Sequence, residues 1–315
     1  MDYIIFIASL AALIYGADII INQSEKIALR FGISEYIIGA TLIAFGTSLP
    51  EMAASVSASL HNKAELAVSN IIGSNIINIT LVIGAVLLLS KKVKPHRDFF
   101  AKDSSWALFP VLIFVIISLD NEITRFSGFT LLFLMFGYIL FLLNNAEHTS
   151  ELGLDEDIEE IKKNFHPIKT VILLIVGFVT VVYAADFTIS SASNIARSFG
   201  VSEWIIGVVL VAFGTSLPEL IVSIMAARAN KADMAIGNVI GSNMANISVA
   251  LGSAAIANPI TLDFSKYSFD IATLIAATLM LVFITANKMY SKPAGISLFV
   301  LLAIFAQHVA HSVAH

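Results

Sequence analysis

The sequence contains no cysteine, which excludes disulfides and thiolate metal sites and leaves any bound ion to oxygen and nitrogen ligands. Charge is scarce as well. Only 13% of the 315 residues are Asp, Glu, Lys or Arg, while 57% are hydrophobic. With a mean hydropathy of +0.87, the chain is too apolar for a soluble domain and reads as an all-α polytopic membrane protein. No basic stretch or small-residue cleavage site accompanies the first apolar run, which starts at Tyr3, so that run reads as a spanning helix rather than a cleaved leader. Long polar segments are missing too, apart from 144–167 with its seven acids. That segment lacks the spacing of a calcium-binding loop and reads as a solvated linker.

The periodicity predicts ten transmembrane helices, near 3–30, 35–60, 65–89, 103–119, 126–143, 168–197, 203–228, 233–257, 268–287 and 293–313. Runs this long satisfy their own backbone only as helices, which excludes a β-barrel. If odd-numbered helices end in the cytoplasm, fourteen Lys and Arg residues collect on that side and four on the other. Both termini are then expected outside the cytoplasm, in the cell (inner) membrane.

The chain repeats itself. Residues 32–51 and 200–219 are identical at fifteen of twenty positions, "NIIGSNIINI" at 70–79 answers "NVIGSNMANI" at 238–247, and "YGAD" at 15–18 answers "YAAD" at 183–186. All three pairs share an offset of 168 residues. The expected organisation is a first five-helix repeat at 1–143, an acidic cytoplasmic linker at 144–167 and a second repeat at 168–315. Five is odd, so the repeats enter the membrane from opposite sides, an inverted-topology arrangement that places substrate sites near the midplane.

Both repeats carry "GTSLPE", which puts Glu51 and Glu219 inside apolar runs. An ionised residue at mid-bilayer costs about 2.5–3.5 kcal/mol even on the lenient insertion scale, so two at matched positions point to a function. Pro50 and Pro218 have no N–H, which frees the Gly46 and Gly214 carbonyls. Ala44, Thr47, Ser48 and Glu51 share one helix face, and Ser74 and Asn78 share another. Symmetry adds Ala212, Thr215, Ser216, Glu219, Ser242 and Asn246. Every candidate ligand is a hard oxygen, which suits Na⁺ and Ca²⁺. Asn75 and Asn243 point to another face and read as helix-to-helix glue.

"GTSLPE" followed by "GNxIGSNxxNI", present twice, resembles the cation/calcium exchanger superfamily, in its sodium/calcium exchanger-like prokaryotic branch. The resemblance covers essentially the whole chain. It implies alternating access and cation sites lined by the second, third, seventh and eighth helices. Glu51 and Glu219 would ligate Ca²⁺ and Na⁺. Backbone oxygens at Ala44, Thr47, Ala212 and Thr215 and hydroxyls of Ser48, Ser216, Ser74 and Ser242 would complete the sites, with Asn78 and Asn246 central. Two departures stand out. Asn246 occupies a position where many members have Asp, which argues against K⁺ cotransport, and Ser69 replaces the Gly kept at Gly237.

The expected function is a secondary active antiporter exchanging Ca²⁺ for Na⁺, with Ca²⁺/H⁺ exchange as the alternative, because protons compete for a desolvated carboxylate. Two carboxylates neutralise one Ca²⁺ or two Na⁺, so a third Na⁺ would make exchange electrogenic, by roughly 2.3 kcal/mol per charge per 100 mV. No Lys or Arg stands inside the motifs, which argues against a phosphate-cleaving membrane enzyme. No cofactor, nucleic acid or obligate protein partner is expected; the partners are the ions and the bilayer. Asp18 and Asp186 read as structural or water-facing, and His308, His311 and His315 as a frayed helix end.

Overall fold

The computed structural model describes residues 1–89, 95–145, 165–201 and 214–314, with side chains as far as His311. Within them the chain is helical almost throughout. In order come α1 (Asp2–Phe31), α2 (Glu35–Thr47), α3 (Leu49–Leu60), α4 (Ala64–Leu89), α5 (Phe99–Ser118), α6 (Arg125–Asn144), α7 (Pro167–Ser198), α8 (Leu217–Arg228), α9 (Ala232–Ala257), α10 (Ser268–Ala286) and α11 (Lys292–Ala314). Eight of these are long and apolar enough to cross a membrane, and α2 with α3 makes a ninth span bent by 48°. Of the expected seventh span only the part from 214 onward, including α8, lies in the described residues.

The expected helix at 103–119 begins four residues early, at Phe99, because Asp98 caps it: its Oδ1 accepts from the Ala101 N–H at 3.1 Å. Two further features differ from the expected run of regular helices. Glu122–Ile123 and Ile260–Thr261 pair as a short antiparallel ladder joining the α5–α6 and α9–α10 connections. And π-helical turns interrupt α2 at Gly39–Ile43, α4 at Asn78–Ile83 and α9 at Asn246–Leu251. Such turns concentrate at functional sites, and two of these begin on the central asparagines.

The helices form an outer and an inner layer. α1 packs most extensively against α7. The opposite faces of this pair expose Ile4, Ile7, Ile14, Ile168, Ile172 and Ile175, as lipid-facing helices do. α4 and α9 are buried along most of their length and form the centre. Close backbone approach seats α2 on α9. A Cβ on Gly39 would stand 2.4 Å from the Met234 carbonyl oxygen, and one on Gly241 would stand 2.2 Å from that of Ala40. Ser69, which replaces glycine in the other half, is exposed, so its hydroxymethyl group meets no such packing.

Arg97, one of the fourteen Lys and Arg residues counted toward the cytoplasmic side, is buried. Its Nε and one terminal nitrogen donate to both oxygens of Asp103, at 2.5 and 3.0 Å, beneath the Tyr36 ring. Lys231 joins Glu25 of α1 and Glu35 of α2.

Candidate functional site

The bent span supplies the first half of the site. α2 stops at Thr47 and α3 starts at Leu49, leaving Ser48 between them at φ −86°, ψ 4°. Ser216 precedes α8 with almost the same angles, φ −86°, ψ 2°. The break therefore falls two residues before each proline. Pro50 and Pro218 sit in the first turn of α3 and α8, where a missing N–H is harmless. Glu51 and Glu219 also occupy those first turns, where the helix dipole favours a negative charge.

Side chains from both repeats meet here. Ser48 Oγ donates to Glu219 Oε1 at 3.0 Å, and the Ser74 and Thr215 hydroxyls lie 3.4 Å apart. Glu51, Glu219, Thr47, Ser48, Ser74, Ser216, Ser242, Asn78 and Asn246 are all buried. The Ala44 carbonyl already accepts from the Ser48 N–H at 3.0 Å and from the Thr47 hydroxyl at 3.4 Å, so any role as a ligand would compete with these contacts. Ala212 lies outside the described residues.

Many of these buried atoms have no partner at hydrogen-bonding geometry. They include both oxygens of Glu51 (near as the Thr215 hydroxyl is), Glu219 Oε2, Ser216 Oγ, Ser242 Oγ, Asn78 Oδ1 and both polar atoms of the Asn246 amide. Buried polar groups are nearly always satisfied, so a concentration of unpaired oxygens beside two carboxylates fits a hard cation. Among the described residues no three His, Cys, Asp or Glu side chains cluster as a metal site. The arrangement offers two carboxylates and a set of neutral oxygens.

Three pairs of polar residues hold these elements together, and the sequence reading of the site missed two of them. Asn70 Nδ2 donates to Ser55 Oγ at 2.9 Å and to the Glu51 carbonyl at 3.3 Å. Its counterpart Asn238 donates to Ser223 Oγ at 3.0 Å and accepts from the Thr47 hydroxyl at 3.4 Å. The signal was available, since Ser55 and Ser223 keep the offset of 168 residues. The third pair, Asn75 and Asn243, behaves as glue, but Asn243 does not face away from the site: Asn78 Nδ2 donates to its Oδ1 at 3.1 Å.

The discounted residues fall outside this centre. Asp18 is exposed and accepts from Asn22 Nδ2 at 3.0 Å, and Asp186 is exposed. His308 is not frayed, because its ring stacks on Phe269 at 3.9 Å and its Nε2 lies 3.9 Å from Asp270.

The sequence matches the family described as sodium/calcium exchanger protein over residues 1–144 and 169–309. It is 35% identical to the uncharacterized membrane protein MJ0091 of Methanocaldococcus jannaschii, covering 96% of this chain and 95% of that one. It is 29% identical to the sodium/calcium exchanger MaX1 of Methanosarcina acetivorans, covering 97% of each. Among solved structures, the sodium-calcium exchanger NCX_Mj soaked with zero Na⁺ and Ca²⁺ superimposes with a TM-score of 0.82 at 31% identity, over 98% of both chains.

Proposed function

The chain belongs to the sodium/calcium exchanger protein family, and from that premise we propose that it exchanges Ca²⁺ for Na⁺ across the cell membrane by alternating access. The observation that carries this reading is the set of unpaired buried oxygens around Glu51 and Glu219. Both ions need these carboxylates, so one excludes the other, and a site that opens to either side in turn then couples their movements.

The ligands in this proposal are Glu51, Glu219, Ser48, Ser216, Thr47, Thr215, Ser74, Ser242, Asn78 and Asn246, with backbone oxygens at Ala44 and Ala212. The proposed frame is ten spans in two inverted five-helix repeats, 1–143 and 168–315, with both termini outside. The matched geometry of Ser48 and Ser216 supports a common local fold in the two repeats. The neutral Asn246 supports independence from K⁺.

Radiolabelled Ca²⁺ uptake into Na⁺-loaded proteoliposomes, against K⁺-loaded and pH-gradient controls, tests the reading. Uptake driven only by outward Na⁺ is expected, and a positive interior is expected to speed it, because the proposed excess charge leaves on the Na⁺ limb; uptake slowed by a positive interior would oppose that excess charge. Uptake driven by the pH gradient would replace Na⁺ with H⁺ as the coupling ion. No uptake under any gradient would overturn Ca²⁺ as cargo.

A further inference from the structure

The two central asparagines, Asn78 and Asn246, open the π-helical turns of α4 and α9, but they are not equivalent. Asn243 Nδ2 donates to the Asn75 backbone carbonyl at 3.2 Å. A carbonyl oxygen can only accept, so this contact fixes which end of the Asn243 amide is which. Its Oδ1 is thereby turned toward Asn78, whose Nδ2 donates to it at 3.1 Å. The second contact fixes the Asn78 amide in its turn: the NH₂ is committed to Asn243, and Oδ1, buried and without a protein partner, is left to face away from it.

No matching relay runs to Asn246. Its symmetry counterpart of Asn243 is Asn75, and Asn75 Nδ2 turns back onto its own helix, donating to the Ile71 carbonyl at 2.9 Å. Both polar atoms of Asn246 are left without a partner. An amide with neither end held can present its oxygen or its NH₂, and only the oxygen attracts a cation.

We propose that Asn243 is a positioning residue for cation binding: anchored by the Asn75 carbonyl, it sets the polarity of the Asn78 amide so that Asn78 Oδ1 is a permanent cation acceptor, while Asn246 is free to turn. The proposal rests on the reading of the centre as a cation site. It explains why a half-buried polar side chain that touches neither glutamate is tied into the centre. It also assigns the two halves different roles in the same proposed site, one pre-set and one adaptable. Pre-setting removes the free energy of choosing an orientation from the binding step.

The test is the apparent KM for Ca²⁺ in Na⁺-driven uptake by the full-length chain in proteoliposomes, with Ca²⁺ titrations of the detergent-solubilised protein giving Kd. Asn243→Ala is expected to raise KM and Kd about fivefold to tenfold, the scale of one hydrogen bond that directs a ligand to a charge, with a smaller change in maximal rate. Asn243→Ser, whose hydroxyl can donate to the Asn75 carbonyl and accept from Asn78, is expected to recover part of the loss. In an Asn78→Ala background, adding Asn243→Ala is expected to change Kd by less than about twofold, because the residue acts only through Asn78. An equal loss in both backgrounds would reduce Asn243 to structural glue and overturn the proposal, as would unchanged Kd in the single variant. If the unaltered chain neither took up nor bound Ca²⁺, the reading of the site itself would fail instead. If Asn243→Ala does not fold, the Asn243→Ser variant in both backgrounds decides the same question.

Discussion

Glu51 and Glu219 are chemically identical and symmetrically placed, yet their surroundings differ. Glu219 accepts a hydrogen bond from Ser48, whereas neither oxygen of Glu51 has a partner. Calcium affinity in oxygen sites follows the number of charged ligands. Glu51→Gln and Glu219→Gln are therefore each expected to lower the rate of Ca²⁺ uptake at least tenfold while leaving the helical circular-dichroism signal unchanged; uptake at the normal rate in either would remove that glutamate from the site. Ser48→Ala leaves Glu219 Oε1 without its donor. It is expected to cost the Ca²⁺-free protein about 1–3 kcal/mol, read as a lower thermal midpoint that added Ca²⁺ partly restores. An equal drop with and without Ca²⁺ would make the hydroxyl a structural contact only.

At the scale of elements, the site depends on breaks rather than on regular helices. Ser48 breaks the span of α2 and α3 before Pro50, Ser216 precedes α8 with nearly the same angles, and the π-turns at Asn78 and Asn246 interrupt α4 and α9. Irregular backbone at membrane depth is tolerated where protein or a cavity covers it, and α2 meets that condition by lying against α9. The contact leaves no room for side chains: a Cβ on Gly241 would come within 2.2 Å of a backbone oxygen. Gly241→Val is expected to push α2 away from α9 and cost at least about 3 kcal/mol, seen as loss of the monodisperse peak on size-exclusion chromatography in detergent. A stable, active Gly241→Val protein would mean that the two helices can separate freely.

For the whole molecule, the proposed inverted arrangement makes a prediction that the absence of cysteine renders easy to read. His61 and Ala229 are exposed residues at turns that keep the repeat offset, and the asparagines after them share a positive φ, 57° at Asn62 and 62° at Asn230. In cell-derived vesicles of known orientation, single His61→Cys and Ala229→Cys variants are expected to react with a membrane-impermeant thiol reagent from opposite sides, with His61→Cys reacting from outside. Labelling of both from one side would rule out the inverted repeat. The Ala229 side is also where Lys231 joins Glu25 and Glu35. Contacts of this kind, with carboxylates about a third exposed, contribute modestly to stability but tie the α8–α9 turn to both α1 and α2.

The sequence by itself determined the class of molecule, because hydrocarbon solvent imposes long apolar helices and makes any buried carboxylate conspicuous. Its two copies of "GTSLPE" and "GSNxxN" likewise marked the glutamates, serines and central asparagines as candidates, since a repeated letter in a hydrophobic run needs a shared reason. Only the tertiary structure decided which of those atoms are satisfied and which are left open. Asn70 and Asn238 were legible as repeated letters but not as braces, because their partners Ser55 and Ser223 stand fifteen residues away. Arg97 looked like one more basic loop residue until Asp103 and Tyr36 enclosed it. The inequality of Asn78 and Asn246 was invisible in nearly identical motifs. It depends on which way one amide turns, and that is set by a carbonyl on another helix.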